Sequence, residues 1–462
     1  MFGLQEGFDV VIGNPPYIQM QKDGGKLANL YANQNYTTYQ RTGDVYALFY
    51  EAGINLLKTQ GNINFITSNK WMRAKYGKSL RELFIKNNPV ILIDLGADVF
   101  ENATVDTNII IVKKEPNQNN CLALDLAEER KIYNFQIYED KWSTLTDLTN
   151  ESWIILSKSK QNIKQKIINV GTPLKDWDIQ IHYGIKTAFN EAFIIDKFTK
   201  EDLINQDSKS IEIIKPILRK KSISRYKINH DGEYLINAHN GLKSKNIEPI
   251  DIQTFKPIKK HIDSVLSNIE KGIITRKGGH KDSNKGFFER SDRGLTAYNL
   301  RNCAYLDKFE FPKIMWKQTS IEQTFVLDEK GFYTDVSGQF LTFNSKNGNS
   351  SLKYLLAILN SKFTLYYMNN FAIKFGGKGV RWIPAEIEKI PIPKISLDAQ
   401  IPFREKVEQI LSLKKENKDI STLEQEIDLM VYKLFNFSYQ ELLIIDTEFP
   451  LTEAEYNNYK IA

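Results

Sequence analysis

The sequence is short of the residues that would place it outside a reducing compartment. Only Cys121 and Cys303 occur in 462 residues. That is too few, and too widely spaced, for a disulfide framework or a zinc site, so no metal centre is expected and a cytoplasmic location fits. Neither cysteine follows a proline in a nucleophile loop, which argues against attack by a thiolate. No run reaches ~18 consecutive apolar residues, and no basic segment leads into an apolar core at the N-terminus, so neither a membrane span nor a signal peptide is expected. Charge of one sign is also scarce: the formal net charge is +6, with 26% charged and 42% hydrophobic residues. This is the composition of a globular protein of about three domains, and it permits nucleic-acid binding without demanding it. Glycine-rich cofactor turns are missing as well. Gly278-Gly279 and Gly376-Gly377-Lys378-Gly379 lie among basic residues, and no Gly-x-Gly follows a strand and opens a helix.

What is present is concentrated between Phe8 and Tyr17, Phe-Asp-Val-Val-Ile-Gly-Asn-Pro-Pro-Tyr. Asp9 to Ile12 reads as a fully buried strand of the parallel-sheet kind, ended by Gly13. Pro15 and Pro16 have no N–H, so their carbonyls form a rigid set of acceptors to which Asn14 adds a side-chain carbonyl and Tyr17 a flat aromatic face. Such a tip suits an aromatic amine; the alternative is an ordinary proline turn at a strand end. Downstream, the polar stretch Gln19 to Thr42 with Tyr31, Tyr36 and Tyr39 is either a loop closing over a substrate or an irregular surface loop. Asp44 is placed to cap a helix with Val45, Leu48, Phe49, Ala52 and Leu56 at helical spacing. Strands are expected at Asn62 to Thr67, Val90 to Leu95 and Asn108 to Val112, with a helix at Lys78 to Lys86. Strands alternating with helices argue for an open α/β sheet with its sites at the strand C-termini.

Asn14-Pro15-Pro16-Tyr17 resembles the motif of amino-methyltransferases that modify adenine N6 in DNA. The resemblance implies that Asn14 and the Pro15 carbonyl hold the exocyclic amine, that Pro16 completes the catalytic tip, and that Tyr17 stacks on a flipped base. It also implies S-adenosyl-L-methionine as methyl donor, double-stranded DNA as partner, and Phe100 as the second wall of the base pocket; the usual fate of such a Phe is the core. In that family the cofactor half lies upstream of the motif. The expectation is therefore half a methyltransferase domain, completed by an upstream half or by a second polypeptide carrying the cofactor motif.

Tyr183 to Asp196, Ile214 to Lys221 and Ile387 to Pro393 resemble the TaqI-like specificity domain of type IIG restriction-modification enzymes, with Ala188 and Lys220 where glycine is common. The expected fold is a partial Rossmann-like α/β methyltransferase sheet, then an α+β target-recognition domain and a C-terminal helical hairpin. The boundaries expected are 1–115 for the catalytic part, 116–170 for a connector, 171–398 for target recognition and 399–462 for the helical segment. Phosphate or base contacts are expected from Arg276, Lys277, Lys281, Arg290 and Arg293, and from Lys378 and Arg381; the alternative is a solvated charged loop. Two other functions stay open at this point: a non-enzymatic DNA-binding subunit or remnant, and a cytosine-N4 methyltransferase.

Overall fold

The computed structural model describes residues 7–97, 99–100, 105–127, 135–187, 189–275, 285–288, 294–345, 351–372 and 380–461. The chain divides into two compact units, Met1–Gln165 and Lys166–Ala462.

The first unit is built on one mixed sheet. In chain order its elements are β1 (Phe8–Gly13), α1 (Lys22–Tyr31), α2 (Tyr46–Leu56), β2 (Leu57–Ser68), α3 (Lys78–Lys86), β3 (Asn88–Gly96), β4 (Thr107–Lys113), β5 (Cys121–Asp125) and β6 (Ser143–Leu145). The strand order is β1-β2-β4-β3-β5-β6. β1 runs parallel to β2 and β3 to β5, whereas β4 is antiparallel to both β2 and β3. Period-two alternation sorts the side chains. Ile63, Phe65, Leu92, Ile110 and Val112 join Tyr46, Tyr50, Trp71 and Phe84 on one face, while Ile66, Ile91, Ile93 and Ile109 pack with Leu126 and Tyr138 on the other. Burying a side chain such as Phe84 contributes about 1.5–3 kcal/mol.

The structure departs from the sequence expectation in four places here. β1 is an edge strand rather than a fully buried one: Val11 packs into the core, but Val10 and Ile12 are 51% and 79% exposed. A β-branched run reports strand propensity, and its burial depends on neighbours the run does not encode. Second, α2 presents Tyr46, Ala47, Tyr50 and Ile54 to the core and turns Phe49 and Leu56 outward. Gly53 allows its close approach, since a Cβ there would crowd Ile63 and touch Val11. Third, β2 starts at Leu57 rather than at the expected Asn62 and takes in Gly61, where a Cβ would meet the Phe8 carbonyl at 2.8 Å. Fourth, β5 and β6 fall in the stretch expected as a connector and extend the sheet beyond residue 115. β5 spans only five residues, too short for its alternation to stand out from the Asn-rich turn before it.

The second unit carries two four-stranded sheets. One orders Tyr333–Thr334, Ile214–Leu218, Tyr234–Ile236 and Ile194–Ile195; the other orders Val326–Asp328, Lys313–Lys317, Gly338–Phe343 and Ile179–Tyr183. Tyr333–Thr334 and Gly338–Phe343, three residues apart, thus belong to different sheets. Asp335 lies between them, accepting the Ser337 N–H at 2.9 Å in a side-chain turn. Helices Ile401–Lys415 and Ser421–Leu434 form the expected hairpin and pack against helices Leu352–Asn360 and Lys362–Phe371 of the same unit.

Candidate active site

β1 delivers Asn14 to Tyr17 at its C-terminal end. Gly13 lies close under the Phe65 ring, where a Cβ would stand 3.2 Å from a ring carbon. Asn14 and Pro16 are exposed, Pro15 is buried and Tyr17 is half-buried. The Tyr17 hydroxyl donates to Asn14 Oδ1 at 2.7 Å, with the Ile66 carbonyl 3.2 Å away as a second acceptor. Burial, and then the negative charge of Asp44, push this hydroxyl up to about 12. It therefore stays protonated, and a donor, throughout the physiological range.

Two rings flank Tyr17. Tyr46 meets it edge-on, with centroids 6.4 Å apart at 86°. Phe100 faces it at 6.4 Å and 52°. Phe100 follows β3 and Tyr17 follows β1, so the mixed sheet brings together two aromatics separated by most of the unit's chain length. Behind them, Tyr46 and Tyr76 share a hydroxyl contact of 3.1 Å, and Tyr50 pairs with Thr67 at 2.9 Å.

Two buried carboxylates that the sequence did not mark as site residues fix these loops. Asp44 Oδ1 accepts the Ile18 N–H at 2.9 Å, tying down the residue next to Tyr17. Burial raises the Asp44 carboxyl above the ordinary aspartate value, against the N–H groups of Ile18, Tyr46 and Val45. Asp44 was expected to cap the helix directly, but α2 begins two residues later, after Val45. At the end of β3, Asp94 Oδ1 accepts from Asn69 Nδ2 at 2.8 Å and from the Gly96 N–H at 3.2 Å. Burial raises the Asp94 carboxyl too. A lone acid in the apolar run Val90 to Leu95 was the available sequence signal for it.

The stretch Gln19 to Thr42 is not an irregular loop. α1 lies within it, and Met20, Ala28, Val45 and Leu48 form a small core beneath Leu27, Tyr31, Tyr36 and Tyr39. Glu51 on α2 clamps its far end, accepting N–H bonds from Thr37 at 3.0 Å and Thr38 at 2.8 Å.

Arg276, Lys277, Lys281, Arg290, Arg293 and Lys378, the residues expected to meet DNA, lie outside the described residues. Arg381 is described, on a short ribbon in which Val380–Arg381 pairs with Thr319–Ser320. The residues at the end of β1 do not fit S-adenosylmethionine. S-adenosylmethionine carries a carboxylate that needs N–H donors, and two of the three residues after Gly13 are prolines. Among the described residues, no group of three or more His, Cys, Asp or Glu side chains could hold a metal ion, and no helix is long and apolar enough to cross a membrane.

Residues 1–100 match the Eco57I restriction-modification methylase family, and residues 215–392 match the TaqI-like C-terminal specificity domain. The type II methyltransferase M.BstVI of Geobacillus stearothermophilus is 23% identical over 95% of this chain and 75% of its own length. The type II restriction enzyme and methyltransferase RM.Eco57I of Escherichia coli is 23% identical over 98% of this chain, which spans 48% of that enzyme. In fold, the chain is similar to the type IIL restriction-modification enzyme MmeI, solved in complex with DNA. The TM-score is 0.56 at 12% identity, covering 97% of this chain and 57% of that one. The chain thus carries a segment that matches the Eco57I restriction-modification methylases, followed by one that matches the TaqI-like C-terminal specificity domain.

Proposed function

We propose that the chain acts in transfer of a methyl group to the N6 amine of adenine in double-stranded DNA, as the acceptor side and target reader of a type IIG-like methyltransferase. The observation that carries this reading is the placement of Asn14 Oδ1 beside the Tyr17 ring, with the Phe100 ring opposite. At 6.4 Å the two rings are within range of each other, so a flat base entering between them would part them and lie with its edge toward the end of β1. There, Asn14 Oδ1 and the Pro15 carbonyl accept the two amine hydrogens. That draws the nitrogen lone pair out of conjugation and stabilises the pyramidal amine as it attacks. Tyr17 and Phe100 hold the base unstacked, and Pro16 keeps the loop rigid. S-adenosylmethionine, when bound, would supply the methyl group as its sulfonium–methyl bond breaks to leave a neutral thioether, and the proton lost from the methylated amine would pass to water.

The methyl donor's site is assigned to a further segment, upstream or on a second polypeptide, that adds a strand to β1. The outer edge of β1 has no strand beside it among the described residues, and its Val10 and Ile12 side chains face outward. A parallel strand there would satisfy the edge's backbone groups, and the crossover element that brings it would cover the sheet face carrying both side chains. Target recognition is assigned to residues 171–398, with Arg276, Lys277, Lys281, Arg290, Arg293, Lys378 and Arg381 as its DNA contacts.

The test is co-expression with a polypeptide, fused upstream or supplied separately, that carries a glycine-rich cofactor motif, followed by mass analysis of nucleosides from treated DNA. N6-methyladenine should appear, and Asn14→Ala should lower it at least a hundredfold. N4-methylcytosine in its place would move the reaction to cytosine. Unmodified DNA with binding retained would leave a specificity subunit without catalysis.

A further inference from the structure

Strand Ile179–Tyr183 of the second unit borders a cavity of about 500 Å³ that the methylation reading does not use. Four consecutive residues of this strand, Ile179 to His182, line it. Successive side chains point to opposite faces of a sheet, so one cavity that touches all four sits on the strand's outer edge. The strand is the last of its sheet and pairs on one side only, with Gly338–Phe343. Ala304 and Tyr305 flank the cavity, and the His182 ring, 4.8 Å from the Tyr305 ring, fixes that aromatic in place. Lys175 and Glu388 complete the lining, joined by the Lys175 N–H donating to the Glu388 carbonyl at 2.9 Å.

The register identifies the backbone groups that face this space. The Gly184 N–H donates to the Gly338 carbonyl at 3.1 Å, and the Asn344 N–H to the Asp178 carbonyl at 3.0 Å. In an antiparallel pair such positions recur every second residue, so Gln180 and His182 also turn their N–H and C=O toward Gly338–Phe343. Ile179, Ile181 and Tyr183 turn theirs outward. The Trp177 carbonyl takes the Ile179 N–H at 2.7 Å, and the Tyr183 N–H meets the Tyr305 hydroxyl. Along the cavity this leaves the Ile179 carbonyl and both the N–H and the carbonyl of Ile181, without a partner among the described residues.

We infer that the cavity is a docking groove for an extended peptide segment of a protein partner, which adds a strand beside Ile179–Tyr183 through those main-chain groups. Acceptor, donor and acceptor two residues apart are what the edge of an extended backbone complements. Neither Lys175 nor Glu388 has an ion-pair partner among the described residues, so the segment carries an acidic residue toward Lys175 and a basic one toward Glu388. Other occupants fit less well. A phosphate backbone offers no donor to the two carbonyls and meets the Glu388 carboxylate. In a second copy the same strand is recessed between the same flanks, which keeps two such edges from reaching the roughly 4.8 Å of strand pairing.

The test uses the full chain and a phage-displayed library of random heptapeptides. Enriched peptides are synthesised with a fluorescein label and titrated by anisotropy, each also as a series with one backbone nitrogen methylated in turn. Only alternate N–H groups of an added strand face its neighbour. N-methyl groups at every second position should therefore weaken binding at least about tenfold, and those between should leave it nearly unchanged. Ile181→Pro removes the outward N–H at an edge position that admits proline and should cost a similar factor, with thermal melting to establish that it is folded. Should that variant not fold, the N-methyl series decides alone. Lys175→Glu, at an exposed position, should select peptides that lack the acidic residue.

No enriched peptide, N-methyl sensitivity without the two-residue period, unchanged affinity in folded Ile181→Pro or an unchanged selection by Lys175→Glu overturns the inference. A dimer of the chain that Ile181→Pro abolishes overturns it in favour of a second copy. None of these measurements uses DNA or methyl transfer, so failure here and failure of the methyl-transfer reading are distinguishable.

Discussion

The Tyr17 hydroxyl holds Asn14 Oδ1 at 2.7 Å, so the ring proposed to stack on the base also sets the amide proposed to hold its amine. Tyr17→Phe separates the two roles. Stacking should persist, seen as unchanged fluorescence enhancement of 2-aminopurine at the target position, while the methylation rate falls about 3- to 10-fold, the worth of one ordinary hydrogen bond. Equal loss of both signals would mean that the hydroxyl has no separate role.

Glu51 is predicted to stabilise the segment between β1 and α2 in a pH-dependent way. Burial alone would raise its carboxyl, but the N–H groups of Thr37 and Thr38 outweigh burial and hold it below the ordinary glutamate value of 4.5. A carboxylate lowered in the folded state contributes stability above its unfolded pKa and loses it as pH falls through the folded one. Glu51→Gln turns a donor toward those N–H groups and should cost roughly 1–3 kcal/mol at pH 7. The gap between wild type and variant in urea melts should close as pH drops below 4.5; a gap independent of pH would contradict the assignment.

Asp428 has the opposite sign. It is 5% exposed and accepts the Lys362 N–H at 2.8 Å, and burial raises its carboxyl from 3.8 to about 7. Its contribution is fully present below the unfolded value and is lost as pH rises through the folded one. Asp428→Asn keeps an acceptor for Lys362 without the charge. Its Tm should match wild type near pH 4 and exceed it by roughly 2–8 °C at pH 8. A Tm below wild type at pH 8 would show that the ionised group is needed.

Ile12→Lys probes the outer edge of β1. The side chain is 79% exposed, so the isolated chain should melt within about 0.5 kcal/mol of wild type. Co-purification with a separately supplied polypeptide carrying the cofactor motif should fail. Retained co-purification would remove the β1 edge as the joint.

How far the sequence disclosed this structure depended on the range of each interaction. β1, α3 and the start of β4 were legible because β-branched runs and helical spacing act within a few residues. Phe100 was placed by its order between two strands, and its ring centroid lies 6.4 Å from that of Tyr17. The Asn69–Asp94 bond was not legible, since its partners are 25 residues apart and meet only once β2 and β3 share a sheet. The Glu51 clamp escaped for the same reason, and a glutamate on a helix reads by default as a solvated residue. The exposure of Val10 and Ile12 was illegible in principle from the run alone.

That exposure has a consequence for how much of the chain can exist alone. A strand edge with outward valine and isoleucine is a template for pairing with another copy, and such pairing grows with concentration. Molecules whose β1 edge is uncovered are therefore the fraction expected to self-associate first, and the more so the higher their concentration.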